Sequence, residues 1–170
     1  ASDVYKRQGD RTAVVVGVDG SEQGRAAALE AAEEARLRQA PLKLVCAVPP
    51  LGANAAWLAV SLDEEARERE LRERLDAGAA WIRSEFPGLE VLTELVDGTP
   101  VDVLVDQSAT ACLTVVGTRG LGGFAGAIVG STSRGVADHA KGPVLVVPFR
   151  KDVRLSRRAS FGPVQDQPES

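Results

Sequence analysis

The chain has 170 residues, 44% of them hydrophobic and 26% charged, with a net charge of −4. That length suits one core and leaves little for a second, and an acidic balance without a basic stripe argues against nucleic-acid binding through a cationic surface. Apolar stretches stay below the roughly 20 residues of a membrane helix and no charged-then-apolar leader opens the chain, so a soluble, cytoplasmic protein with no nucleic-acid or membrane partner is expected.

Residues 1–10 are polar and patternless and are expected to form a flexible flanking segment outside the fold. Thr12 to Asp19 reads as a first strand. Ser21 then caps a helix rich in Ala, Glu and Arg that runs to about Gln39, ahead of Pro41. Leu42 to Val48 returns as a second strand, and Pro49-Pro50-Leu51-Gly52-Ala53-Asn54 breaks regular structure. Ser61-Leu62-Asp63-Glu64 has the form of a capping box for a long helix to Phe86. Leu71, Leu75, Ala79, Ile82 and Phe86 recur along it at steps of three and four, which predicts one sheet-facing stripe with Trp81 at its edge.

Leu89 to Val96 reads as a third strand and Gly98-Thr99-Pro100 as a turn. Pro100 to about Ala109 follows as a helix whose first-turn proline needs no donor. Cys112 to Gly117 is a fourth strand, Ser131 to Asp138 lies in a further helix, and Val144 to Val147 is a last strand. From Arg150 the apolar periodicity ends and Arg150, Lys151, Arg154, Arg157 and Arg158 gather, so residues 150–170 are expected to be a disordered basic tail. Alternation of strands and helices is the pattern of an α/β domain with a parallel sheet covered on both faces.

The densest chemical signal is Gly117-Thr118-Arg119-Gly120, nine intervening residues, then Gly130-Ser131-Thr132-Ser133. The first half follows a buried strand, where Gly117 and Gly120 can take positive φ and let a phosphate approach backbone N–H groups. The second half opens a helix, where unpaired first-turn N–H groups, the positive dipole end and hydroxyls favour an anion. Taken alone, the same residues also fit a glycine-rich loop followed by an ordinary serine cap.

The pattern G-x-x-G, nine residues, G-[S/T], with the opening Val14-Val15-Val16-Gly17-Val18-Asp19-Gly20-Ser21, resembles the nucleotide-binding signature of the universal stress protein family. The resemblance covers a domain over residues 11–149. It implies a single Rossmann-like α/β domain of five parallel strands in the order 3-2-1-4-5, with helices on both faces and ATP at the strand ends. Carried over by position, Val18 and Asp19 end the first strand and Ala47 is the second-strand position whose backbone faces adenine. Gly117, Arg119, Gly120, Gly130, Ser131 and Thr132 belong to the phosphate turn and helix start. Asp19 is open to three roles: ribose contact, ligand to Mg2+ or Mn2+ beside the phosphates, or acceptor for its own Gly20-Ser21 turn. Arg119 fits either a phosphate contact or an outward, solvated arginine.

In that strand order Cys46 and Cys112 sit two strand spacings apart, roughly 9 to 10 Å, beyond disulfide reach. His139, the single histidine, suits the C-terminal dipole end of its helix, and no cluster supports a metal centre or a catalytic triad. No Gly-Lys-[Ser/Thr] occurs, which excludes a P-loop, and Gly120-Leu121-Gly122-Gly123-Phe124-Ala125 lacks the context of a dinucleotide fingerprint. The expected function is therefore an ATP-binding regulatory or stress-tolerance protein with little or no turnover. A slow nucleotide hydrolase using Asp19 and a divalent ion, and a ligand-free dimeric scaffold, are the alternatives. The resemblance also implies a homodimer through the edge strand at residues 143–148.

Overall fold

A computed structural model describes residues 13–50, 64–118 and 130–148. The strands are β1 (Val14–Gly17), β2 (Leu42–Val48), β3 (Val91–Asp97), β4 (Leu113–Gly117) and β5 (Val144–Val147). The helices between them are α1 (Glu22–Arg38), α2 (Glu64–Glu85), α3 (Pro100–Ser108) and α4 (Ser131–His139). Every strand pairing is parallel and the order is β3-β2-β1-β4-β5, as expected. The Ser61–Glu64 capping box is only partly described, and residues 1–10 and 150–170 lie outside the described residues.

Val14, Val15 and Val16 are all buried, the mark of a central strand covered on both faces. Val16 pairs with Leu44 of β2 and with Val115 of β4, so β1 is the spine of the sheet. Alternate side chains feed two cores. Val14, Val16, Leu42, Leu44 and Val115 pack under α1 and α2 with Leu29, Leu75 and Ile82. Val15, Val45 and Val116 pack on the opposite face with Val103 and Leu104 of α3 and Val136 of α4. Fully burying side chains such as Leu42, Leu44 and Ile82 contributes about 1.5–3 kcal/mol each.

β1 is shorter than the expected Thr12–Asp19. The Val18 N–H still reaches the Val45 carbonyl at 2.9 Å, after which Gly20, at φ 82°, turns the chain into α1. Trp81, expected at the margin of the α2 stripe, is instead only 7% exposed and belongs to the core. The reason is that α2 touches α1 as well as β2 and β3, which widens its covered face. On the face of β3 opposite α2, α3 reaches Glu94 and Val96 but leaves Leu92 uncovered among the described residues. Leu92 is 43% exposed there, and Lys43 pairs with Glu94 while its Nζ donates to Gln107 Oε1 at 3.0 Å. Neither Cys46 nor Cys112 forms a disulfide.

Local chemistry explains the ends of α1. The Ser21 hydroxyl accepts from the Gly24 N–H at 3.0 Å, Glu22 sits in the first turn, and Arg36 and Arg38 sit in the last. The helix closes with the Ala40 N–H on the Ala35 carbonyl at 2.9 Å, which requires Gln39 to adopt φ 54°. Among the described residues Gln39 is the single non-glycine with positive φ. Relief of that strain, offset by glycine's greater unfolded freedom, should make Gln39→Gly more stable by about 0.5–1 kcal/mol in denaturant unfolding; a loss of stability would show that the Gln39 side chain is needed.

Candidate functional site: a crevice at the carboxyl ends of β1 and β4

Helices α1 and α2 lie on one face of the sheet and α3 and α4 on the other, so the winding reverses between β1 and β4. A cleft of about 410 Å³ opens there, the place where open α/β sheets bind ligands. Gly17, Val18 and Asp19 come from the end of β1, Gly117 and Thr118 from the end of β4, and Val45 and Ala47 from β2. Ser21, Gln23 and Gly24 at the start of α1, Pro100, Val103 and Leu104 of α3, Val116 of β4 and Thr132 of α4 complete the wall.

The lining is divided. Val45, Ala47, Val103 and Leu104 make an apolar side toward β2 and α3, whereas Thr118 and Thr132 bring polar groups on the side of β4 and α4. Three helix N-termini border the cleft, and their capping differs. α1 is capped by Ser21, and α3 by Thr99, whose Oγ1 accepts from the Asp102 N–H at 3.2 Å. α4 begins after Gly130, which has no side chain to cap it. Ser133 does not substitute, because its hydroxyl donates to the Gly130 carbonyl at 3.0 Å. The first-turn N–H groups of Ser131, Thr132 and Ser133 thus have no protein acceptor among the described residues. An ordinary serine cap, one reading of this stretch, is absent here, and the unpaired donors and helix dipole suit an anion.

Of the residues singled out from sequence, Val18, Asp19, Ala47, Gly117 and Thr132 border the cleft. Gly130 and Ser131 stand at the start of α4 next to Thr132, and Arg119 and Gly120 lie outside the described residues. Asp19 is exposed, and its Oδ1 accepts from the Ser21 N–H at 2.9 Å. The turn-capping role is therefore real, and it occupies one carboxylate oxygen. Among the described residues lining the cleft Asp19 is the one carboxylate, and no group of three His, Cys, Asp or Glu side chains is placed to hold a metal. An ion held here would draw on one carboxylate and on oxygens of the ligand, the usual arrangement for Mg2+ with phosphates. His139 ends α4 and is exposed.

Gly117 corrects one expectation. It is not among the positive-φ glycines, which in the described residues are Gly20, Gly88 and Gly98. A Cβ on Gly117 would instead lie 3.0 Å from the Gln23 carbonyl oxygen, so the absent side chain lets α1 sit close on β4. Gly24 does a related job, since a Cβ there would lie 3.0 Å from Asp19 Oδ1. Sequence reading missed Ser21, Gln23, Thr118 and the α3 residues as parts of the wall. Thr118 adjoins Gly117 and was within reach of the motif, but nothing local marks Val103 or Leu104, which arrive from a helix on the far side of the chain.

The fold and crevice define a doubly wound parallel α/β protein with a ligand-sized cleft at its switch point. The chain belongs to the universal stress protein family, whose family model matches residues 11–148. A universal stress protein of Mycolicibacterium smegmatis is 35% identical over 138 residues, covering 79% of this chain and 47% of the relative. This chain spans about half the length of the curated relatives it matches. Among solved structures, the universal stress protein of Archaeoglobus fulgidus in complex with dAMP is 30% identical, with a TM-score of 0.58 over 80% of this chain and 97% of that one. A universal stress protein in complex with cAMP is also 30% identical, with a TM-score of 0.53 over 80% and 95% of the two chains.

Cys46 precedes Ala47 and lines a second, smaller recess with Asp19 and Arg74. Burial pushes its thiol above the ordinary value, and the charge of Asp19 adds to the rise. A raised folded pKa favours the neutral thiol in the native state, so its stabilising effect is complete below the unfolded thiol value of about 8.5 and is lost as pH rises through the folded value. The unfolding free energy should therefore fall on the alkaline side of that value, and Cys46→Ala should flatten the fall. An alkaline limb unchanged in Cys46→Ala would assign it to other groups.

Proposed function

We propose that this protein binds ATP in the β1/β4 crevice and works as a nucleotide-dependent regulatory or stress-tolerance protein with little or no catalytic turnover. The observation that carries the reading is the uncapped start of α4 at the polar side of the cleft, opposite an apolar side formed by β2 and α3. A nucleotide is divided in the same way. The base would rest against Ala47, the ribose would meet Asp19, and the phosphates would reach the N–H groups of Ser131 and Thr132 with Mg2+ or Mn2+ beside them. Relatives that hold dAMP and cAMP support the adenine nucleotide class. Catalysis of phosphoryl transfer needs a positioned base and charge stabilisers beyond a cradle; Asp19, the one carboxylate in the wall among the described residues, is committed through Oδ1 to Ser21.

A homodimer through β5 is part of the same reading. β5 is at the edge of the sheet, and Val144, Leu145, Val146 and Val147 are all half-buried rather than covered, a surface that favours pairing with another chain. Work in the cytoplasm is part of the same proposal.

Thr132→Asp places a negative charge in the first turn of α4, where it suits the helix dipole and opposes a phosphate. Calorimetry with ATP and magnesium should show at least tenfold weaker binding while the melting temperature of the nucleotide-free protein holds or rises. Equal affinity for the variant and the parent would remove α4 from the phosphate site. For assembly, Val146→Lys should sediment as a monomer under conditions where the parent is a dimer. A dimer that survives the lysine uses another surface.

A further inference from the structure

We propose that Leu104 sets the depth of the apolar side of the cleft, and that position 17 is glycine because any side chain there would drive Leu104 into the space of the base. The ligand named here rests on the ATP reading above; the steric relation does not. Gly17 is the last residue of β1 and keeps an ordinary strand conformation, since positive φ among the described glycines is confined to Gly20, Gly88 and Gly98. Backbone freedom is therefore not what glycine supplies at this position. Space is.

A Cβ built on Gly17 would lie 2.7 Å from Leu104 Cδ1, 3.2 Å from Cδ2 and 3.5 Å from Cγ. The isopropyl group of Leu104 thus occupies the volume that a side chain at the end of β1 would take. Leu104 is 4% exposed and packs with Val15, Val45, Val103 and Val116, a close-packed cluster that yields little. The void it borders is the cleft it shares with Val45 and Ala47. A methyl group at position 17 therefore moves the flexible tip of Leu104 toward that void. Gly117, at the matching end of β4, differs, because its missing Cβ faces the Gln23 carbonyl of α1. Of the two strand-end glycines, Gly17 alone makes room for a side chain of the apolar wall. Leu104 is in this sense a specificity-determining residue: how far it sinks decides how thick and how substituted a base the apolar side accepts.

The test is a cycle of Gly17→Ala, Leu104→Ala and the double variant in the full chain, read by calorimetry with ATP and magnesium. Gly17→Ala should bind at least tenfold more weakly than the parent, and the double variant should return to within about threefold of Leu104→Ala, because truncation removes the group that is displaced. Gly17→Ala binding like the parent, or a double variant as weak as Gly17→Ala, overturns the proposal. A crystal structure of Gly17→Ala judges it without a ligand. The Leu104 tip moved into the cleft supports it, and a shifted β1 or α3 with Leu104 in place overturns it. Should Gly17→Ala fail to fold, the double variant must fold, since the conflict is gone, and its failure also counts against the proposal. Absence of ATP binding by the parent would defeat the functional reading and leave the crystallographic result to decide this one.

Discussion

Parallel pairing of β1 with β4 is the constraint on which the rest of the molecule depends. Val14, Val15 and Val16 align with Leu113, Thr114 and Val115, joining segments about a hundred residues apart in sequence. With β2 on its other edge, β1 lies in mid-sheet under helices on both faces, and the run of valines suits burial on both. Right-handed crossovers then send α1 and α2 to one face and α3 and α4 to the other. The crevice between the ends of β1 and β4 is a geometrical consequence of this reversal and requires no residue dedicated to making it.

What the crevice can hold is decided by how the helix starts around it are finished. Ser21 and Thr99 satisfy first-turn donors of α1 and α3 with their own hydroxyls, so those helices present closed ends. Gly130 lacks a side chain, and Ser133 spends its hydroxyl on the Gly130 carbonyl. The positive end of α4 is consequently left open among the described residues, and the energetic cost of unpaired donors is the same feature that makes the end attractive to a phosphate. Opposite it Val45, Ala47, Val103 and Leu104 make the wall apolar, so the two sides of the cleft differ in polarity.

Much of the architecture was legible in the chain itself. The valine run of β1, the Leu71-Leu75-Ala79-Ile82 stripe of α2 and the cap at Ser21 are local signals, since hydrophobic periodicity and capping act over one or two turns. The order of the strands was legible through resemblance to a family, because strand order depends on long-range pairing that no short window encodes. Trp81 shows the limit of periodicity: its burial comes from contact between α2 and α1, which widens the covered face beyond the stripe.

For the site, the sequence alone marked a glycine-rich corner after one strand and a glycine-led helix start as candidates for holding an anion, because glycine content and helix onset are written locally. Tertiary structure alone decided what each glycine is for. Gly117 admits the Gln23 carbonyl, Gly24 admits the Asp19 carboxylate and Gly17 admits Leu104. The physical reason is that the meaning of a missing Cβ lies in the atom that would collide with it. For Gly17 and Gly117 that atom belongs to a helix far away in sequence, brought near by the sheet.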